Sequence, residues 1–142
     1  MNRDQILELL PHRDPFVMVD EVVEIDAERI VALKHVRDDE DWCRGHFPGN
    51  PIMPGVLITE ALAQSAALIY LHAHRDRAGA TVYLVGADKL RFRKPVRPGD
   101  TLRLEVSIAS QRRGIWTFDG TATVDDARVA NGTFMATVAQ AE

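Results

Sequence analysis

One apolar stretch decides the fold: residues 55–74, which read GVLITEALAQSAALIYLHAH. Its aliphatic side chains fall on every face of a helical wheel, and its only formally charged residue is Glu60. A helix that is apolar all round has to be buried on all sides. The stretch therefore predicts a central helix from about Gly55 to about His74. Because its most apolar part, residues 61–71, is shorter than the roughly 20 residues of a membrane span, we expect no membrane segment.

The sequence on both sides of this helix predicts the layer that covers it. Residues 3–10 have helical spacing, and two valine-containing segments around a polar turn, residues 16–25 and 29–36, predict a hairpin. After Gly79 apolar and polar residues alternate with the two-residue period of strands, and turn signals divide this part into four strands that we expect to form a meander. The prediction is one α+β domain over residues 1–142, in which an antiparallel sheet curls around one long helix.

Composition and charge narrow the classes of function. Of the 142 residues, 46% are hydrophobic and 27% are charged, and the single cysteine, Cys43, excludes a disulfide framework and a Cys-based zinc site. Residues 4–41 contain twelve acidic and four basic side chains, whereas residues 89–113 contain eight basic and two acidic ones. The net charge of −4 disfavours a general nucleic-acid binder, but the basic segment can attract an acidic partner. Since no apolar run follows a basic start, we expect a cytoplasmic protein.

The segment before the helix is a candidate catalytic loop. Residues 45–55 include three prolines and three glycines, which exclude a regular helix or a central strand. His46 stands near the start of this stiff loop, and Gly55 stands where the helix begins. The first amides of a helix have no internal partner, and glycine has no side chain that would block a ligand. The loop thus offers an imidazole base and a backbone donor for an oxyanion, although His46 taken alone also fits a histidine that caps a turn.

Glu60 lies one turn into the predicted helix. A lone buried carboxyl group is costly unless it is hydrogen-bonded or protonated, and the protonated form suits a general acid. Gln64, four residues further on, lies on the same face within reach of it. A structural glutamate bonded to water or to a backbone amide fits the pattern equally well. The other histidines are interpreted as structural or exposed, and no metal site is predicted from them: His12, His35, His72 and His74.

Four stretches of the sequence form recognisable motifs: LLPHR at residues 9–13, GHFPGNPIMPGVLITEALAQ at 45–64, DKLRFRKPVRPGD at 88–100 and GIWTFDGTATVDD at 114–126. These motifs resemble those of the FabZ-type 3-hydroxyacyl-[acyl-carrier-protein] dehydratases. The resemblance covers nearly the whole chain and differs at Asp14, where an aromatic residue is usual. It implies a hot-dog fold, a long helix wrapped in a curved antiparallel sheet.

The resemblance implies dehydration of (3R)-hydroxyacyl thioesters to trans-2-enoyl thioesters on acyl carrier protein, in fatty-acid biosynthesis or a related lipid or polyketide pathway. It implies that His46 takes the C2 proton and that Glu60 gives a proton to the C3 hydroxyl. The Gly55 amide would polarise the thioester carbonyl, and Gln64 would help to order the acid. No metal or other cofactor is expected.

The resemblance also implies partners. These are the phosphopantetheine-linked acyl carrier protein and a second copy of the chain, in a homodimer or a trimer of dimers, with the histidine of one subunit beside the glutamate of the other. By the two-residue period of a strand, we expect three basic side chains to share a face and two more to follow in the turn. These five predicted carrier-docking residues are Lys89, Arg91, Arg93, Lys94 and Arg97.

Three other functions stay open on the sequence alone. A thioesterase on the same fold would use the helix carboxylate to activate water and would not require the His46 loop. A non-catalytic module would bind acyl carrier protein without needing both His46 and Glu60. A nucleic-acid binder would use the basic segment 89–97, but the acidic total and the lack of stacking aromatic residues on its basic face argue against it.

Overall fold

The computed structural model describes residues 1–139. It confirms the predicted α+β hot-dog fold, with a long helix packed against a curved antiparallel sheet. Two short 3₁₀ helices, Asp41–Arg44 and Arg75–Arg77, flank the long helix along the chain. In chain order the helices and strands are α1 Arg3–Leu9, β1 Glu21–Ile25, β2 Arg29–His35, α2 Gly55–Ala73, β3 Val82–Phe92, β4 Thr101–Arg112, β5 Ile115–Val124 and β6 Ala127–Val138.

The central helix α2 has nearly the predicted bounds. It begins after Pro54, whose missing N–H costs nothing there, and the His74 amide closes its other end by donating to Tyr70 O. Most of its residues from Ile58 onward are buried, but Val56 in the first turn is 74% exposed. The expectation of burial on all sides is therefore wrong for the first turn of α2 in a single chain.

The helix α2 is longer than the apolar stretch that was predicted from the sequence to be too short to span a membrane. At 19 residues, with an 18-residue window of mean hydropathy 1.4, it passes a test of length and composition for a membrane span. However, 56% of that window is buried inside the fold, and the core helix of a folded domain passes the same test.

The six strands lie in the order β1-β2-β4-β5-β6-β3. The predicted four-strand meander is right for β4, β5 and β6 but wrong for β3, which pairs with β6 at the far edge. The connection from β3 to β4, residues 93–100, does not turn back on β3. Instead Val96 is buried, and its carbonyl accepts a hydrogen bond of 2.7 Å from the Met53 amide in the loop before α2.

The first strand is shorter than predicted because residues 16–20 form no strand. In this part of the described chain only the Asp20 amide bonds to a neighbouring strand, at Leu33 O, whereas Phe16 and Met18 bond to a side chain of α2. The Met18 amide donates to Gln64 Oε1 at 2.8 Å, and the Phe16 carbonyl accepts from Gln64 Nε2 at 2.7 Å. These bonds hold residues 10–20, which we call the N-terminal loop, against the central helix.

The edge strand β3 has no buried residue. Its exposed side chains include Tyr83, Val85 and Phe92, each at least half exposed. Its two-residue period is interrupted by an irregularity between Asp88 and Arg91, where Lys89 has a φ of 55°. The uninterrupted strand face expected for Lys89, Arg91 and Arg93 is therefore absent. An apolar edge with unpaired backbone groups is a surface on which another strand can add.

Candidate active site

The loop before α2 is held by its own hydrogen bonds. The amide of Phe47 donates to Asn50 O at 3.0 Å, and the Asn50 amide returns a bond of 2.8 Å. The Ile52 amide donates to His46 O at 2.8 Å, and Arg97 Nη1 binds Asn50 Oδ1 at 2.8 Å. A loop with this many internal bonds is a fixed support for the side chain of His46.

The hydrogen bond of His46 defines its tautomer. Nδ1 lies 2.7 Å from the carbonyl oxygen of Ile52. Because a carbonyl oxygen only accepts, Nδ1 carries the hydrogen, and Nε2 keeps its lone pair. The ring also stacks on Phe47, with centroids 4.2 Å apart. His46 is thus oriented as a base that can take a proton at Nε2.

Gly55 carries the first amide of α2 and lines the same cavity as His46. Its N–H has no hydrogen-bond partner among the described residues, whereas the amides of Leu57 and Ile58 donate to Pro54 O. A Cβ at Gly55 would come within 3.0 Å of the Phe92 ring, so any other residue here would require the ring to shift. The cavity has a volume of about 480 Å³ and is lined by residues that include His46, Gly55, Phe92, Arg93 and Lys94.

Glu60 lies in a different cavity, where the predicted contact with Gln64 is present. Oε2 of Glu60 accepts a 2.9 Å bond from Gln64 Nε2. Gln64 is 1% exposed, and its bonds to the backbone of the N-terminal loop fix which atom is oxygen and which is nitrogen. The expectation that Glu60 is fully buried is wrong, because its side chain is 25% exposed where α2 faces this cavity.

His12 is a neighbour of Glu60 that was not predicted from the sequence. Its Nε2 lies 3.7 Å from Glu60 Oε2, and the side chain is 22% exposed. It lines the Glu60 cavity with Gln64 and a mostly apolar set of residues from α2 and three strands: Ala63, Ala66, Ala67, Val82, Leu84, Phe118, Phe134 and Ala136. His12 and Glu60 are 48 positions apart in the sequence, and no local pattern links them.

Within one chain the structure does not bring His46 and Glu60 together. The cavity with His46 and Gly55 and the cavity with Glu60 and Gln64 have no lining residue in common. Of the remaining reactive side chains, Cys43 donates its Sγ–H to Arg37 O at 3.4 Å. Partial burial and the nearby Glu40 carboxylate raise the pKa of the Cys43 thiol, which fits its interpretation as a packed residue and not a nucleophile.

The five predicted docking residues are all exposed, and none forms an ion pair within residues 1–139. Arg93 and Lys94 line the His46 cavity. Arg97 binds the catalytic loop at Asn50, whereas Lys89 and Arg91 lie further along β3 and line neither cavity. The positive charge is therefore available to a partner and borders the cavity of the candidate base.

A family model and similar known proteins indicate the same family for this chain. The model of the FabA-like domain matches residues 10–133. The chain is 51% identical to the 3-hydroxyacyl-[acyl-carrier-protein] dehydratase FabZ of Myxococcus xanthus over 140 residues, covering 97% of this chain and 92% of the relative. It is 52% identical over 129 residues to the FabZ dehydratase of Thermomicrobium roseum, covering 90% of this chain and 86% of that one.

Solved structures share the fold at much lower identity. The dehydratase heterocomplex ApeI:P from Xenorhabdus doucetiae matches with a TM-score of 0.82 and 18% identity, covering 95% of this chain and 91% of the other. A hypothetical thioesterase with coenzyme A from Streptococcus pneumoniae matches with a TM-score of 0.64 and 14% identity, covering 84% of each chain. Since proteins described as dehydratase and as thioesterase both share it, the fold alone does not choose between these activities.

Proposed function

The chain belongs to the FabZ-type 3-hydroxyacyl-[acyl-carrier-protein] dehydratases of the FabA-like family, and on that premise we propose how its residues perform the reaction. The family indicated by the sequence motifs is confirmed. The enzyme is a hydro-lyase of fatty-acid biosynthesis, which dehydrates (3R)-hydroxyacyl-acyl carrier protein to the trans-2-enoyl product. We also propose that the protein is cytoplasmic, as expected from the sequence.

The observation that carries the proposed site is the separation of His46 from Glu60 into two cavities of one chain. The edge strand β3 borders both of them. Val82 and Leu84 at its start line the Glu60 cavity, and Phe92 at its end lines the His46 cavity. If two copies pair their β3 strands in antiparallel fashion, the start of one strand lies beside the end of the other.

This pairing supports a homodimer with two shared active sites. A two-fold axis through the middle of β3 makes the interface self-complementary, so each His46 cavity faces the Glu60 cavity of the other chain. The same pairing covers the exposed apolar residues of β3. The homodimer is the proposed minimal active unit, and a trimer of dimers is the larger assembly that the family resemblance implies.

The proposed chemistry follows from the orientation of each group. The thioester oxygen accepts a hydrogen bond from the Gly55 amide, which stabilises the developing negative charge by about 3 kcal/mol. Nε2 of His46 takes the proton from C2. The electrons of that C–H bond form the C2–C3 double bond as the C3–O bond breaks, and the protonated Glu60 gives its proton to the departing hydroxyl, which leaves as water. The positioned acid and the positioned base each raise the rate by about 10²–10⁴-fold. No metal or other cofactor takes part in this mechanism.

The residues around the two cavities support the proposal that the substrate is an acyl chain carried on a protein. The walls beside Glu60 are largely apolar, as the hydrocarbon part of the substrate requires. Arg93 and Lys94 border the His46 cavity, and the other exposed basic residues extend this surface. We propose that this surface attracts the acidic acyl carrier protein and its phosphopantetheine arm, with no nucleic acid or membrane as partner.

The activity is tested with 3-hydroxyacyl-acyl carrier proteins of graded chain length. The expected result is the absorbance of an enoyl thioester with no release of free thiol. Free thiol without enoyl product would identify a thioesterase instead, and binding without either product would identify a non-catalytic module. Glu60→Gln keeps the shape of the side chain but not the acid, so it should lower dehydration by at least about a hundredfold while the chain stays folded.

A further inference from the structure

The N-terminal loop places His12 beside the Glu60 carboxyl, and no step of the proposed mechanism uses it. Its Nε2 lies 3.7 Å from Glu60 Oε2, while its Nδ1 is buried without a hydrogen-bond partner in the described residues. A buried polar atom with no partner is uncommon in native proteins. Since the ring itself has no anchoring hydrogen bond, the loop holds it there, through the bonds of Gln64 to Phe16 and Met18.

The isolated Nδ1 indicates the tautomer of His12. A buried N–H without an acceptor is rarer in proteins than an acceptor without a donor. Nδ1 therefore carries the lone pair and Nε2 carries the hydrogen, which faces the carboxyl of Glu60. A protonated ring would place a second N–H at Nδ1 with nothing to accept it. The geometry thus favours a neutral ring that donates toward Glu60.

Two donors consequently face the same oxygen of Glu60. Gln64 Nε2 lies 2.9 Å from Oε2, and His12 Nε2 lies 3.7 Å from it. Since Oε2 already accepts from Gln64 and faces a second N–H, the proton of the carboxylic acid belongs on Oε1. The 3.7 Å distance is longer than a hydrogen bond, but catalytic hydrogen bonds are often long without substrate and tighten when it binds.

We propose that His12 is a positioning residue that, together with Gln64, makes Oε2 of Glu60 the accepting oxygen and turns the proton-bearing Oε1 to the substrate hydroxyl. This inference rests on the proposed dehydratase function. When Glu60 gives up its proton, the His12 N–H also stabilises the carboxylate that remains.

The other groups of the same chain near His12 and Glu60 leave the interaction between these two side chains unchanged, because they are bonded elsewhere or carry no charge. The guanidinium of Arg13 is turned to the carbonyl oxygens of Leu10 and His12. In the proposed dimer, the base that faces this cavity is His46 of the partner subunit. None of the residues that β3, β5 and β6 contribute to the cavity titrates: Val82, Leu84, Phe118, Phe134 and Ala136.

The test compares His12→Leu, which removes both ring nitrogens, with His12→Gln, which keeps an N–H donor at the reach of Nε2. With 3-hydroxyacyl-acyl carrier protein as substrate, His12→Leu should lower kcat about 10- to 100-fold with little change in KM, as misplacement of a catalytic group does. The alkaline limb of its pH–rate profile should move to higher pH, because the carboxylate has lost a donor. His12→Gln should recover most of both effects.

The controls separate this role from folding and from the function itself. His12→Asn carries its N–H nearer to the backbone and should be less active than His12→Gln at equal thermal stability. The proposal is overturned if folded His12→Leu keeps kcat within about twofold of wild type, if its alkaline limb does not move, or if the Asn and Gln variants are equally active. If His12→Leu does not fold, the comparison of Gln with Asn decides. A wild-type protein that dehydrates none of the substrates would overturn the proposed function together with this inference.

Discussion

Gln64 Nε2 lies 2.9 Å from Glu60 Oε2, one helical turn away, and the same amide group binds the backbone of the N-terminal loop on its other side. A single buried side chain therefore orients the candidate acid and fixes the loop that closes its cavity.

Gln64→Leu should harm both stability and catalysis. It leaves the buried Met18 amide without its acceptor and the Phe16 carbonyl without its donor. One unsatisfied buried group costs about 1–3 kcal/mol, so denaturant unfolding should show a loss of at least that size. Dehydration should fall as well, because Glu60 loses a donor. A Gln64→Leu variant with wild-type stability and turnover would show that this clamp has no role.

Gly55→Ala should disturb the start of α2. Its new Cβ would lie 3.0 Å from two atoms of the Phe92 ring, closer than an ordinary contact. We expect a fall in kcat/KM of about tenfold or more, because the ring or the Gly55 amide has to move from its position in the cavity. Shortening the neighbour in the double variant Gly55→Ala with Phe92→Leu should restore part of the loss. Phe92→Leu alone is the matched control, and a double variant no better than Gly55→Ala would contradict the steric explanation.

A buried ion pair supports the catalytic loop from the other side. Lys34 is 1% exposed and lies 2.9 Å from Glu40 Oε1. Glu40 precedes the 3₁₀ helix in which Trp42 O accepts a 2.9 Å bond from the His46 amide. Removing one partner of a buried pair costs about 3–5 kcal/mol, so Lys34→Met should lower the free energy of unfolding by that amount. Adding Glu40→Gln should recover part of it in a double-mutant cycle, and strictly additive losses would contradict the coupling.

The basic surface should act on the carrier and not on the chemistry. Arg91→Glu with Arg93→Glu should raise KM for the carrier-linked substrate, and added salt should weaken the wild-type preference for that substrate. A small thioester analogue should be affected much less. Arg112→Glu with Arg128→Glu changes the net charge equally at exposed positions that line neither cavity, so it is the control. Equal loss on both substrates, or equal effects of the two double variants, would contradict a docking surface.

Much of the fold could be predicted because the central helix is specified locally. The apolar run after Pro54 and the break at His74 define α2 in the sequence as they do in the structure. The position of β3 could not be predicted, since it depends on pairing with β6, which is distant in the sequence. Residues 16–20 have the composition of a strand, but a buried glutamine bonds the backbone of Phe16 and Met18.

The candidate site was predictable in its residue types but not in its arrangement. A lone glutamate in an apolar helix and a histidine in a proline-rich loop are visible in the sequence, and so is the spacing of Gln64 from Glu60. The contact of His12 with Glu60 is not, because it depends on a loop held by tertiary hydrogen bonds. The division of His46 and Glu60 between two cavities is also a property of the folded chain alone.

The shared active site is tested most directly by mixing two inactive variants, His46→Ala and Glu60→Ala, under conditions that allow subunits to exchange. In a mixed dimer one shared site carries both substitutions and the other carries none. Random pairing makes half of the dimers mixed, so about a quarter of wild-type activity should return if the sites act independently. If each subunit held a complete pair of its own, every site would carry one substitution. Confirmed exchange of subunits with no recovered activity would contradict the shared site.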